Sequence, residues 1–190
     1  MVYVINAAAK AYDGVIPEDC YRVPYMPMED LRREMAAMTF YGYEGAGQLI
    51  GVMGIQPVGE VTLIRHSYVH PDHQRKGVGS TLLTHLLSMA PTKGLLVGTW
   101  RAAHWAIKFY KKHGFTLLLN KDDLLRTYWD IPERQIETSV VLGMINEAAF
   151  IRHRGYRRQI VSQRSPISRR KPKANKARRE KPGAGTSSTP

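Results

Sequence analysis

The stretch VHPDHQRKGVGSTLL, Val69 to Leu83, places two glycines two positions apart where a strand-like pattern gives way to a helix-like one. Glycine costs about 1 kcal/mol in a helix interior relative to alanine, so Gly77 and Gly79 at this junction need a reason. A glycine-rich turn at a helix start leaves several backbone N–H groups pointing one way, at the positive end of the helix, which is how a phosphate is cradled. Two common phosphate loops are excluded. A Walker loop needs Gly-x-x-x-x-Gly-Lys-Ser/Thr, and Gly79-Ser80-Thr81 has no lysine in place. A dinucleotide fingerprint needs a third glycine where Leu82 stands.

Working outward, Val4, Ile5, Ala8 and Tyr12 have helical spacing and predict a helix over Val2 to Tyr12, ended by Gly14 and Pro17. MEDLRREMAAM, Met28 to Met38, predicts a second helix, with Glu29 and Asp30 in the turn the dipole favours. Three strand-like runs follow: Thr39 to Tyr43, Gln48 to Ile55 and Val61 to Val69, separated by turns at Gly45-Ala46-Gly47 and Pro57 to Gly59. Beyond the glycines, Leu82, Leu83, Leu86 and Leu87 stripe a helix over Ser80 to Met89. Then come a strand over Leu95 to Trp100, a helix over Ala102 to His113 closed by Gly114, and a strand over Phe115 to Leu119. A short helix over Asp122 to Trp129 and a last strand over Gln135 to Leu142 complete the pattern. This order predicts a mixed α/β (α+β) sheet with helices on both faces.

The chain has 190 residues, enough for one domain and a tail. Cys20 is the only cysteine, which excludes an internal disulfide and suits a reducing compartment. The opening MVYVINAAAKAYDG lacks a basic start and a long apolar core, and no apolar run reaches the roughly 20 residues that span a bilayer. A soluble, cytoplasmic protein is expected. The net charge of +12 is local: residues 1–142 hold 15 Lys/Arg against 14 Asp/Glu, and residues 143–190 hold 13 against 2. We therefore expect a domain over 1–142 and a basic, largely disordered tail over 143–190. Such a tail suits contact with RNA or another anionic surface, and equally a solubilising extension.

Val69-x-Pro71, then Gln74-x-x-Gly77-x-Gly79, a leucine-striped helix, a strand, and Ala106-Ile107-Lys108-Phe109-Tyr110-x-x-x-Gly114-Phe115 resemble, in that order, the GNAT superfamily of acetyl-CoA-dependent N-acetyltransferases. The resemblance covers about residues 2–142. It implies a mixed, mostly antiparallel sheet whose central strands, Val61 to Val69 and Leu95 to Trp100, splay to admit acetyl-CoA. The pyrophosphate would lie on the segment Gln74, Arg75, Lys76, Gly77, Val78, Gly79 and Ser80. Arg75 and Lys76 fit either a phosphate contact or a solvated loop. No metal is implied. His66, His70 and His73 have no cysteine nearby, and Pro71 bends the chain between them, so a metal site is not expected there. The family has a strand before its first helix, and here that strand is missing or very short. That would expose a sheet edge suited to a homodimer.

The implied reaction is direct attack of a primary amine on the acetyl thioester. The amine must be neutral, the developing oxyanion needs a donor, and the departing thiolate benefits from a proton. The resemblance points to a backbone N–H at Val69 or His70 for the oxyanion and to Tyr110 for the thiolate. Without the resemblance, Tyr110 reads as a core aromatic beside Phe109 and Trp105; with it, the thiolate role comes first. The gapless match to the glutamate that some members carry on this strand is Leu63, which cannot act as a base. His66 is the nearest titratable alternative, for relay or for a structural hydrogen bond. A β-bulge here would change which face each residue takes, so parity cannot choose between Arg65 and His66. Tyr21, Tyr25 and Met26 in YRVPYMPM, with Trp100 and Trp105, are candidate acceptor contacts or packing residues. Ala103 stands where many members have asparagine. These departures leave open a second reading, a catalytically degenerate GNAT-fold binding protein with a nucleic-acid-binding tail; the intact loop and Tyr110 oppose it.

Overall fold

The β-branched and aromatic residues between 39 and 69 form an antiparallel meander: β1 (Thr39–Gly45), β2 (Gln48–Val58) and β3 (Val61–Val69). The computed structural model describes residues 1–145, and the expected basic tail lies, from residue 146 on, outside the described residues. The next strand, β4 (Gly94–Trp100), runs parallel to β3. A parallel neighbour demands a crossover, and the striped helix supplies it. Strand β6 (Ser139–Ile145) returns antiparallel to β4, and the two-residue β5 (Thr116–Leu117) pairs with β6. The sheet order is β1-β2-β3-β4-β6-β5.

Helices cover both faces. Helix α1 (Val2–Ala9) and α2 (Met28–Ala37) bury Val4, Ile5 and Leu31 against Val52 and Met26. On the other face, α3 (Val78–Met89) packs Leu82, Leu83 and Leu86 onto Met53, Ile55, Ile64, Leu95 and Val97, and α4 (His104–Lys112) adds Tyr110. Helices α5 (Lys121–Tyr128) and α6 (Glu133–Thr138) cover Leu63, Leu96 and Val141 with Leu125 and Ile136. No strand precedes α1 among the described residues, and β1 is an edge with β2 as its neighbour. No described helix is long and apolar enough to cross a membrane.

The pairing of β3 with β4 stops early. It joins Val61 to Ile64 with Gly94 to Val97 and goes no further. Beyond Ile64 the strands part, so the segments Arg65–Val69 and Gly98–Trp100 line the two sides of a gap. On its other edge β3 carries a bulge: Val52 pairs with Tyr68 and Gly54 with Arg65, so Met53 alone faces both His66 and Ser67. His66 accommodates the extra residue at φ +51, a left-handed conformation that costs a non-glycine residue about 1–3 kcal/mol.

Three sequence expectations shift. Gln135 to Thr138 are helical rather than strand, because Pro132 starts α6 and Ile136 alone turns inward. The last strand accordingly begins at Ser139 and runs to Ile145, past the expected domain limit at 142. Strand β5 shrinks to Thr116–Leu117, since Phe115 is buried before it and Leu119 is fully exposed after it.

Leu83 is wholly buried in the α3 core, whereas Met89 on the same helix is 47% exposed. Leu83→Ala should cost about 2–5 kcal/mol, read as a lower urea midpoint at unchanged slope, while Met89→Ala should leave the midpoint nearly in place.

Candidate functional site

The gap between β3 and β4 opens into a cleft of about 620 Å³, walled by the end of β3, the glycine loop, α4 and the end of α1. One wall is the loop. After a single turn at Pro71–His73 the chain enters Gln74, with Arg75 at φ +57 and Gly77 at φ +86. Alternating backbone handedness turns successive amides to one side. Gly77 caps α3 with no side-chain bond, and Thr81 N–H, which donates to Gly77 O at 2.9 Å, is the first bonded amide of the helix. The amides of Val78, Gly79 and Ser80 precede it and carry the positive end of the dipole.

Side chains brace this loop from behind. Gln74 Nε2 donates to Val69 O at 3.0 Å and Lys76 Nζ to Asp72 O at 2.8 Å. Arg75 has no ion-pair partner among the described residues. A Cβ on Gly79 would sit 3.5 Å from Phe109 and 3.7 Å from Val69, so the bare backbone keeps this entrance open. Ser80 Oγ lies 3.1 Å from His113 Nε2. Among the described residues the cleft lining contains no aspartate or glutamate. Unpaired amides at a helix start with no acid opposite suit a diphosphate.

The end of β3 forms the second wall. His70 N–H is taken by Ile50 O at 2.8 Å. Antiparallel strands alternate bonded and outward-facing pairs, so Val69, opposite Gly51, turns its N–H away from β2 and toward the gap. Of the two residues weighed for an oxyanion donor, Val69 therefore presents a free amide and His70 does not. Past the bulge, Ser67 and Val69 share the α3 side of the sheet. There Tyr110 Oη donates to Ser67 Oγ at 2.7 Å. Burial pushes the Tyr110 phenol up to about 12, with the Ser67 bond pulling the other way.

His66 turns to the opposite face, alongside Arg65. Its Nε2 is 3.2 Å from Glu34 Oε2, close enough for an ion pair but out of line for a hydrogen bond, and its ring stacks on Phe40 at 5.5 Å. Arg65 donates to Gln56 Oε1 at 2.9 Å and to Glu34 Oε1 at 3.3 Å. Glu34 is held below the usual carboxylate range, first by the His66 imidazole and then by Arg65, against the effect of partial burial.

Tyr12, Tyr68 and Trp105 line the end of the cleft nearest α1. Tyr25 stands behind Tyr12 at 5.5 Å, with Tyr21 at 6.1 Å beyond it, and neither reaches the lining. Met26 is buried against α1, with its N–H on Asn6 Oδ1 at 2.7 Å. Trp100 is buried with Ile16 and Ala103, donates to Tyr25 Oη at 3.4 Å, and borders a separate hollow of about 490 Å³. The segment YRVPYMPM thus backs the wall rather than forming it. Ala103 is fully buried in this packed cluster. Sequence reasoning missed Ser67, Tyr12 and Tyr68 as lining residues. The bulge hid Ser67, and Tyr12 looked like one more residue of a helix stripe. Of the three clustered histidines, His66 faces Glu34 while His70 stacks on Tyr3 at 5.2 Å.

Glu34 links this site to stability. A carboxyl whose pKa is depressed on folding stabilises the fold above its unfolded value near 4.3, and that contribution disappears as pH falls through the lower folded value. Glu34→Gln should therefore reduce the melting temperature at pH 7, and the gap from the parent protein should close in acid below about pH 4.

Residues 3–115 match the family model described as the Acetyltransferase (GNAT) family. No curated protein matches the chain. The fold is similar to that of a PaiA N-acetyltransferase from Thermoplasma acidophilum solved with coenzyme A, at TM-score 0.59 and 18% identity over 76% of this chain and 89% of that one. It is also similar to a GNAT family acetyltransferase from Elizabethkingia anophelis with acetyl-CoA bound, at TM-score 0.50 and 25% identity over 63% and 83%. A GNAT family acetyltransferase from Staphylococcus aureus aligns at TM-score 0.58 and 14% identity over 76% and 89%. With its glycine loop, its splayed strands and a family model spanning more than half its length, the chain belongs to the acetyltransferase (GNAT) family.

Proposed function

We propose that this chain transfers the acetyl group of acetyl-CoA to a primary amine by direct attack. The observation that supports it is convergence: the amide cradle of Arg75 to Ser80, the Val69 N–H and the Tyr110 hydroxyl all meet one cleft. Acetyl-CoA supplies an activated acetyl thioester. The amides of Val78, Gly79 and Ser80 would hold its diphosphate, and Arg75 is free to add a charge-assisted contact.

Val69 N–H, fixed by the β2 pairing on either side, donates to the charge that builds on the acetyl oxygen without reorganising. Tyr110 keeps its proton at neutral pH and swings its O–H from Ser67 toward the departing sulfur. With its phenol near 12 and a thiol near 8.5, full transfer is uphill, so its part is a hydrogen bond to the thiolate. His66 takes the proton that the attacking amine loses, and the ionised Glu34 behind it stabilises the resulting imidazolium. The bulge that sends Ser67 and His66 to opposite faces keeps the sulfur side and the amine side of the reaction apart.

Coenzyme A at about 100 times its Kd should stabilise the fold by about 2.7 kcal/mol, a rise of roughly 5–10 °C in Tm, and Gly79→Leu should abolish that rise. A parent protein whose Tm ignores coenzyme A would sink the cradle. Tyr110→Phe should lower kcat at least about 100-fold at unchanged coenzyme A affinity; an unaltered rate removes Tyr110 from the chemistry.

A further inference from the structure

The α1 end of the cleft has an uneven inventory. Among the described residues no carboxylate lines it, so a polyamine or lysine-rich acceptor meets no counter-charge there. Among the described residues the cation lining that end, Arg65, is committed to Glu34 and Gln56, so an acceptor's own carboxylate finds no free partner there. Arg75 and Lys112 belong to the loop and to the last turn of α4, at the other end.

What this end offers is neutral aromatic surface. Tyr12 and Trp105 lie 5.7 Å apart at 33°, and the Tyr68 ring is braced edge-on by Tyr25 at 6.4 Å. Burial holds the Tyr12 and Tyr68 hydroxyls well above their ordinary range, so neither adds charge. Trp105 leaves 47% of its surface exposed, and the small side chains of Ala8 and Ala11 line the same cleft. A half-exposed tryptophan on the wall of a cleft, beside a second aromatic ring, is a surface that a flat ring would cover. The whole cleft, at about 620 Å³, must also take the thioester arm, which favours a compact acceptor.

Resting on the acetyl-transfer reading, we propose that the acceptor is a compact arylalkylamine, its ring held by Tyr12, Tyr68 and Trp105 and its amine directed at the gap between His66 and Ser67. The amine nitrogen forms the new amide C–N bond as the thioester C–S bond breaks. The nitrogen's proton passes to His66 and on to solvent, and the sulfur leaves as the thiolate of coenzyme A, which takes a proton from water.

The test titrates 2-phenylethylamine, spermidine and glutamate into the full chain, with and without saturating coenzyme A, by calorimetry and tryptophan fluorescence, and compares kcat/KM with acetyl-CoA. Phenylethylamine should bind the coenzyme-loaded protein at least about tenfold tighter than either competitor, and Trp105→Ala should weaken it about tenfold at unchanged coenzyme A affinity. Trp105→Tyr should restore most of the loss, which a merely misfolded Trp105→Ala protein would not explain. Equal or tighter binding of spermidine or glutamate, or indifference to Trp105→Ala, overturns the assignment. Should the protein bind no coenzyme A at all, the acetyl-transfer reading fails separately. The titrations without coenzyme then decide the aromatic pocket: Trp105-dependent binding of phenylethylamine supports it, and none overturns it.

Discussion

The structure depends on β3 letting go of β4 after Ile64 while keeping its hold on β2. A continuous parallel ladder would have satisfied the backbone groups of Arg65 to Val69 within the sheet and left no room for a ligand. Parting the strands frees the outward-facing amides of β3, and Val69 is the one that the pairing with β2 turns into the gap. The same divergence brings the start of α3 and the inner face of α4 to the edge of a space they would otherwise not share.

The bulge at His66 and Ser67 then divides the labour. In a regular strand, His66 and Tyr68 would have faced α3 and α4, and Ser67 the other side. One extra residue reverses this. Tyr110 meets Ser67, and His66 joins Arg65 in front of Glu34. The left-handed backbone at His66 is held by ladder pairs at Arg65 and Tyr68. Charge follows the same division, with unpaired helix amides at one end of the cleft and neutral rings at the other, and Glu34 set behind the histidine.

Much of this was legible in the residues. The leucine stripe of α3, the strand runs of the meander, and the loop from Gln74 to Ser80 are local patterns, and each folds as its spacing implies. Gly77 marks a left-handed backbone, which is a property of one residue. The acceptor wall was read less well. Tyr21, Tyr25, Met26, Trp100 and Trp105 are all large and apolar, and so are residues that fill a core; of the five only Trp105 lines the cleft. Trp100 and Trp105 are five positions apart and look alike in sequence, yet one is buried beneath Ala103 and the other stands half-exposed on the cleft wall.

By itself, the order of periodic segments and glycines gave away the fold class, the family and the position of the glycine turn ahead of α3, because helix stripes, strand alternation and turn glycines are patterns among residues a few positions apart. Only the tertiary structure decided which side of β3 each of its last residues takes, that Val69 and not His70 offers a free amide, and that Glu34 stands behind His66. These outcomes turn on one inserted residue in a ladder and on how a helix more than thirty positions upstream packs across the sheet. Side-chain period carries no record of either.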